Sequence, residues 1–299
     1  MFERTLNVAP FFNSPFGLNY TAKKYPLSGA TLMVHKLMEG EILDDTTTSI
    51  SIYLDPLDPK SGCMSFTEQG FLEYLQNQGR AFPCDPGVRP KGVVIFAGRR
   101  AGKTFMLQNK AVYDTAMALA APNHKDVLGQ RPSADFLLTS VSSEWPRLMK
   151  RYIDDVTRGT WVGSQMSTMT NSSLYFESKT ASKAASKARL FFKTNRNVRG
   201  VRPFSWYADE FDYCKDFTAT TSGIFPQLHG SGSQYIFVGS GKDPVGHDYF
   251  NFTRNMPDYL GLVLHSWELN PRIPHSLYLS GQQHVGNIDE YMAFTPRRA

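Results

Sequence analysis

One segment of the chain combines small residues, a lysine and a hydroxyl group in an order that suits phosphate binding. It reads AGRRAGKT and spans Ala97–Thr104. Small residues allow the backbone N–H groups of such a loop to turn inward around an anion, and a helix that begins there adds a favourable dipole. Lys103 would reach the β- and γ-phosphates of ATP, and Thr104 would be a ligand of Mg²⁺. The pattern predicts further nucleotide contacts from Gly98, Arg100, Ala101 and Gly102.

The elements on either side of this loop support the same interpretation. The general pattern has glycine at the first position, where this chain has Ala97, and a chance Gly-Lys-Thr turn is the alternative. However, an apolar, β-branched run precedes the loop and a predicted helix follows it, which is the context that a phosphate loop requires. We therefore interpret residues 97–104 as a nucleotide-binding loop.

A second candidate site is the pair of acids Asp209 and Glu210, which follows an apolar strand predicted at Ser205–Ala208. Asp209 would hold Mg²⁺ through water, and Glu210 would take a proton from the attacking water. A strand that ends in two solvated acids is a common alternative. The phosphate loop upstream favours the catalytic interpretation, and the chain between the two segments is long enough to hold further strands.

A third candidate is Ser240, which follows the strand predicted at Tyr235–Gly239. A small polar residue at the end of this strand could lie near the γ-phosphate and respond to hydrolysis. A simple turn from strand to loop is the alternative.

The elements around these residues alternate between short apolar strands and longer helices. Such alternation predicts an α/β fold with a mainly parallel sheet and helices on both of its faces. The predicted strands are Ser49–Leu54, Val93–Ala97, Asp135–Ser142, Leu174–Glu177, Arg189–Lys193, Ser205–Ala208 and Tyr235–Gly239. The predicted helices are Leu32–Met38, Ser65–Gln78, Thr104–Ala120 and Glu144–Val156.

Composition argues against several classes of protein. The chain has 299 residues, of which 41% are hydrophobic and 20% charged, values typical of one or two globular domains. No apolar run approaches the roughly 18 residues of a membrane span, and the N-terminus lacks the features of a secretory signal. The three cysteines form no metal-binding or disulfide pattern, which favours a reducing cytosol. The net charge of +5 is compatible with a nucleic-acid partner.

Four motifs, in this order along the chain, resemble those of the terminase large subunit of tailed phages. The loop GRRAGKT is similar to the arginine-containing Walker A motif of that family. Arg199–Asp216 resembles the stretch in which Arg-Gly precedes the Asp-Glu pair of the Walker B motif. Ile236–Phe250 is similar to the coupling motif and the helix after it. Trp267–Pro271, together with residues 290–294, resembles the end of the ATPase domain.

The resemblance implies a fold and a function. It implies a RecA-like P-loop core of the ASCE type at residues 61–251, with a small lid subdomain assembled from residues 1–60 and 252–299. It also implies an ATP-hydrolysing motor that translocates double-stranded DNA into a procapsid. Arg99 matches the loop arginine that contacts the γ-phosphate. Gln69 matches the glutamine that reads adenine, although Gln76 and Gln78 are also available.

Partners and location follow from the same resemblance. Family members form a homo-oligomeric ring on the portal protein of the procapsid, and they act with a small terminase subunit in the host cytoplasm. A monomer in solution is the alternative, and no membrane partner is expected. Whole family members also carry a C-terminal nuclease. We expect none here, because the acids after residue 240 form no cluster for two metal ions and Asp289 and Glu290 fit the domain-end motif better.

The segment Ser178–Arg202 contains eight positive residues and no acid. Such a segment could follow the phosphates of DNA, and its lysines at every fourth position fit one face of a helix or a loose loop. A solvated connection is the alternative, and one of its arginines could instead reach the nucleotide of a neighbouring subunit. The predicted DNA contacts are Lys179, Lys183, Lys187 and Arg189.

Two other functions stay open. The first is another P-loop translocase or a helicase-type ATPase, but two-lobed helicases need a second lobe and only 59 residues follow position 240. The second is a module that binds nucleotide without turnover, and Glu210 argues against it because a pure binder needs no catalytic acid. Measuring ATP hydrolysis with and without DNA separates the three.

Overall fold

The computed structural model contains two compact units, each built from two segments of the chain. The first unit comprises Met1–Pro26 and Leu107–Phe237, and the second comprises Leu27–Met106 and Val238–Ala299. Within the described part of the chain, no helix has both the length and the apolar character needed to cross a bilayer. The structure describes residues 7–14, 17–18, 27, 29–58, 60–120, 134–142, 144–178, 186–194, 198, 201–214, 221–222, 224–225, 228, 233–241, 244–274 and 276–277.

Eight helices and eleven strands are defined in the described residues. The helices are α1 Val8–Phe12, α2 Gly29–Glu39, α3 Glu68–Asn77, α4 Lys103–Ala120, α5 Trp145–Thr157, α6 Trp161–Ser164, α7 Pro244–Thr253 and α8 Ser266–Leu269. The strands are β1 Ile50–Tyr53, β2 Cys63–Phe66, β3 Ala81–Phe82, β4 Gly92–Ala97, β5 Ala134–Ser140, β6 Met166–Met169, β7 Ser173–Glu177, β8 Lys187–Thr194, β9 Ser205–Asp209, β10 Gln234–Gly239 and β11 Tyr259–Leu264. Nine strands belong to one mixed sheet, and β1 and β2 form a separate antiparallel pair. The division between the units falls inside α4 and inside β10.

In the second unit the strands follow the order β3-β11-β4-β10. β4 and β11 are parallel, with Ala97 opposite Leu264 at their carboxyl ends, and β3 pairs antiparallel to β11. All six residues of β4 are buried, as expected for an apolar, β-branched strand between two neighbours. Phe250 of α7 packs on Phe96 of β4, with 5.6 Å between the ring centroids. These contacts fix the position at which the phosphate loop begins.

In the first unit the order is β10-β9-β5-β8-β7-β6. β9, β5 and β8 are parallel, whereas β7 is antiparallel to both of its neighbours. Helix α5 packs on β5 and β8. Its buried side chains recur every three or four residues, which is the stripe of an amphipathic helix: Trp145, Met149, Ile153 and Val156.

The predicted α/β class is confirmed, and β4, β9 and β10 lie within one residue of their predicted bounds at each end. The helix predicted at Ser65–Gln78 is shorter than expected. Cys63–Phe66 forms β2 beside β1 instead, and α3 begins at Glu68. Thr67 caps that helix, since its hydroxyl oxygen accepts the N–H of Gly70 at 3.0 Å.

Sequence analysis predicts none of β3, β6 and β11. The omission of β11 matters most, because this strand lies between β3 and β4 in the sheet. The run Tyr259–Leu264 is apolar, and five of its six residues are buried. Its composition is therefore that of a buried strand, but the family resemblance assigned residues after 252 to a lid or linker. The bounds of that lid stay a prediction.

Candidate nucleotide site

The predicted phosphate loop joins β4 to α4 and is closed by hydrogen bonds within the second unit. The N–H of Gly98 donates to the carbonyl oxygen of Leu264 at 3.1 Å. The N–H of Ala101 donates to the carbonyl oxygen of Gly98 at 3.3 Å. The chain therefore turns sharply at the end of β4, and α4 begins at Lys103.

Two residues of this loop have left-handed backbone conformations, Arg100 with φ of 63° and Gly102 with φ of 92°. Glycine adopts this conformation readily, whereas for arginine it costs roughly 1–2 kcal/mol. A Cβ atom placed on Gly102 would meet no atom within 4 Å, so the space beside it is open. Among the described residues, the N–H groups of Arg100 and Gly102 have no hydrogen-bond acceptor. The loop thus offers two donors next to open space.

Lys103 places its ammonium group at the base of the loop. Its Nζ donates to the carbonyl oxygens of Ala97 at 2.9 Å and of Gly98 at 3.1 Å. Thr104 follows in the first turn of α4, and both side chains are partly exposed. An ammonium group, two backbone donors and a helix N-terminus suit the phosphates of a nucleotide. The side chain of Arg99 is exposed at the same turn.

Asp209 is the last residue of β9 in the first unit, and its side chain is 2% exposed. The indole Nε1 of Trp145 donates to its Oδ2 at 3.0 Å. A buried carboxylate is an oxygen ligand of the kind that Mg²⁺ prefers, and the hydroxyl of Thr104 is a second one. The donor set of the two motifs therefore fits this metal.

Glu210 lies directly after β9 in a left-handed conformation, with φ of 50° and ψ of 40°. Its side chain is exposed, and its carbonyl oxygen accepts the N–H of Tyr213 in a short 3₁₀ turn. Within the described residues, Glu210 and Arg100 are the two non-glycine residues with positive φ. Strained backbone of this kind concentrates at functional sites. Both instances coincide with the motifs that the sequence singles out.

Gln69 and Ser240 belong to the second unit, as the loop does. Gln69 lies in the first turn of α3, its N–H donates to the carbonyl oxygen of Asp44 at 3.1 Å, and its Nε2 donates to Oε1 of Glu73 at 3.0 Å. Ser240 directly follows β10. Their roles toward adenine and the γ-phosphate stay predictions.

Two of the predicted DNA contacts lie on β8, and neighbouring strands provide their acids. Arg189 makes two hydrogen bonds to Asp135, from Nε at 3.1 Å and from Nη2 at 2.7 Å. Lys187 lies 3.3 Å from Glu177. The absence of acids within the segment itself thus did not reveal its charge environment. Lys179 and Lys183 lie outside the described residues, as do Asp289 and Glu290.

Sequence analysis does not identify three residues that contact the two motifs. Trp145 binds Asp209, the hydroxyl of Ser266 donates to the carbonyl oxygen of Arg99 at 2.6 Å, and Nδ2 of Asn270 donates to that of Arg100 at 3.1 Å. The last two flank the motif Trp267–Pro271, which the sequence associates only with the end of a domain. Their spacing from the loop along the chain gives no local signal.

The chain matches no family model and no curated protein. Among solved structures it is similar to the large terminase ATPase domain of Thermus phage P74-26, with a TM-score of 0.52 and 15% identity over 68% of this chain and 87% of that one. An arginine-to-alanine variant of that domain gives a TM-score of 0.51 and 14% identity over 68% and 88%. The large terminase of a thermophilic bacteriophage in complex with ATP-γ-S gives 0.46 and 12%, over 69% of this chain and 47% of that protein.

A buried strand, a turn with two left-handed residues and a long helix, set in a mixed and centrally parallel sheet, define an α/β P-loop fold. The fold is, more particularly, the RecA-like fold of the ATPase domain of phage large terminases. The predicted fold class is therefore confirmed.

Proposed function

We propose that this chain is the ATP-hydrolysing motor of viral genome packaging, which translocates double-stranded DNA into a procapsid. The observation that carries the proposal is the loop between β4 and α4. There, a left-handed Arg100, a left-handed Gly102 and the ammonium group of Lys103 surround an open space. The likeness in fold to terminase ATPase domains supports the same function.

Each residue then has a defined task. Lys103 and the loop N–H groups bind the β- and γ-phosphates, and the guanidinium of Arg99 stabilises the charge that develops on the γ-phosphate. Glu210 takes the proton from the attacking water. Mg²⁺, when bound, neutralises phosphate charge, and the residues that would hold it are Thr104 and Asp209. Gln69 would bind adenine, and Ser240 would respond to loss of the γ-phosphate.

The partners of this function are also proposals. Double-stranded DNA is the substrate that the motor moves, and Lys179, Lys183, Lys187 and Arg189 are its proposed contacts. The motor would work as a homo-oligomeric ring on the portal protein, with a small terminase subunit, in the cytoplasm of the host cell.

The test is steady-state ATP hydrolysis by the purified chain, with and without linear double-stranded DNA and with Glu210→Gln as the background control. Hydrolysis that depends on Glu210 and is stimulated by double-stranded DNA supports the proposal. Stimulation by single-stranded DNA alone favours a helicase-type ATPase. Binding of ATP with no turnover favours a nucleotide-binding module.

A further inference from the structure

The segment Leu264–Asn270 holds three successive residues of the phosphate loop. The carbonyl oxygen of Leu264 accepts the N–H of Gly98. Ser266 then donates its hydroxyl to the carbonyl oxygen of Arg99, and Asn270 donates its amide to that of Arg100. All three contacts lie within the second unit. One short segment thus binds the main chain along the first half of the loop.

The geometry of the peptide group gives these contacts a directional effect. In a trans peptide the C=O of one residue and the N–H of the next are coplanar and point in opposite directions. The hydroxyl of Ser266 holds the C=O of Arg99 on one side, so the N–H of Arg100 points to the other. That N–H is one of the two loop donors without an acceptor among the described residues. Ser266 therefore orients a donor that the loop does not use itself.

Asn270 acts on the next peptide in the same way. It holds the C=O of Arg100, whose peptide partner is the N–H of Ala101, and that N–H closes the turn on Gly98. The left-handed conformation of Arg100 is unfavourable for a residue with a Cβ and persists only where surrounding contacts impose it. The bonds from Ser266 and Asn270 are contacts of this kind.

The segment itself is firmly anchored. Glu268 forms a two-point ion pair with Arg80, in which Nη1 donates to Oε1 at 2.8 Å and Nη2 donates to Oε2, and the two side chains are 2% and 1% exposed. The N–H of His265 also donates to Oε2 of Glu268, at 2.6 Å. Thr31 of α2 donates its hydroxyl to the carbonyl oxygen of Leu269 at 3.2 Å. A buried, fully bonded pair of this type fixes geometry, because breaking either partner leaves an unpaired charge.

We propose that Ser266 and Asn270 are positioning residues of the phosphate loop, which direct the N–H of Arg100 toward bound phosphate and keep the turn closed. This inference rests on the proposed nucleotide function. Such donors bind the ground state and the transition state alike, so their loss raises KM and leaves kcat nearly unchanged. A merely structural defect would instead lower the active fraction, and with it kcat, at constant KM.

The kinetic test compares Ser266→Ala, Asn270→Leu and Asn270→Asp with the control Ser61→Ala, which loses a hydroxyl-to-carbonyl bond of the same kind to Asp55. We expect the KM for ATP and the Kd for ADP to rise about tenfold for each loop variant, the effect of roughly one hydrogen bond. Asn270→Asp keeps the acceptor that binds the N–H of Arg272, and Asn270→Leu adds no charge. A rise in both isolates the lost donor, whereas a rise in Asn270→Asp alone, or KM values equal to that of Ser61→Ala, overturns the proposal.

A second measurement needs no nucleotide. Arg100→Gly removes the cost of the left-handed conformation, so the loop should depend less on Asn270. We expect Asn270→Leu to lower the unfolding midpoint by roughly 2–4 °C, and by less in the Arg100→Gly background. Equal shifts in the two backgrounds overturn the proposal. If the wild-type chain binds no ATP, the proposed function fails, and this cycle still decides whether Asn270 positions the loop.

Discussion

The indole N–H of Trp145 donates a hydrogen bond to Oδ2 of Asp209 at 3.0 Å, and both side chains are buried in the first unit. Trp145 is the first residue of α5, and Asp209 is the last residue of β9. One helix thus orients the carboxylate that we expect to hold Mg²⁺. Second-layer partners of this kind fix ligand geometry and are worth about 10–100-fold in metal affinity.

Trp145→Phe should therefore raise the Mg²⁺ concentration required for half-maximal ATP hydrolysis by roughly tenfold. Phenylalanine fills most of the same space but cannot donate to Asp209. The matched control is Trp206→Phe in the same unit, where the indole donates to the hydroxyl of Thr139 at 2.9 Å. Both variants should lose about 1 kcal/mol of unfolding free energy. The same Mg²⁺ dependence in the two variants would show that Trp145 has only a structural role.

Glu210→Gln should keep ATP binding and lose hydrolysis, because an amide has a similar shape but cannot take a proton from water. The measurements are equilibrium ATP binding and steady-state turnover on the same preparation. Glu210→Gly should also lose hydrolysis, yet gain roughly 1 kcal/mol in unfolding free energy, since glycine adopts the left-handed conformation without cost. Near-normal turnover in Glu210→Gln would remove this residue from the mechanism.

The parts of the site that the sequence predicts well are those whose signal is local. The apolar run of β4, the glycines after it and the helix from Lys103 are adjacent in the chain, so their spacing suffices to place the loop. The bonds that hold the loop from Ser266 and Asn270 span 167 and 170 positions. The acids that pair with β8 likewise come from neighbouring strands. Contacts of this kind depend on which strands become neighbours, and residue spacing carries no information about that.

Arg99→Ala should slow ATP hydrolysis by about 10³-fold or more while it weakens ADP binding far less, because an arginine at the γ-phosphate stabilises charge that develops in the transition state. Lys91→Ala is the control. It removes one positive charge from an exposed ion pair with Asp258, at 2.7 Å, in the same unit. If ATP and ADP affinities fall together at unchanged kcat, Arg99 is a binding group alone.

His265 should make the chain less stable in acid. Burial lowers its pKa to about 4, with Glu268 opposing the shift and Arg80 adding to it. In the unfolded chain the pKa is about 6.5, so only the unfolded state takes up a proton between these values. The contribution of the neutral imidazole is complete above pH 6.5 and is lost as the pH falls toward 4, for a total of about 3 kcal/mol.

Denaturant unfolding of the wild type and of His265→Gln at pH values from 7 to 4 measures this contribution. The glutamine side chain does not titrate, so the wild type should lose about 3 kcal/mol more than the variant over this range. Only the difference between the two pH dependences is diagnostic, because the substitution also changes packing against Trp267, whose ring lies 4.6 Å from that of His265. Parallel curves would mean that the native state binds the proton as readily as the unfolded chain.

Replacing Lys179, Lys183 and Lys187 together by alanine should weaken binding to double-stranded DNA and flatten its dependence on salt. Each lost phosphate contact lowers the slope of log K against log salt concentration by about 0.9. Lys187 contributes less if its ion pair with Glu177 persists in the complex. The control triple replaces Lys60, Lys91 and Lys150, which changes the net charge equally. If the slope is the same in both triples, general charge explains the binding and the segment is a solvated connection, whereas a slope reduced only in the first triple places DNA on it.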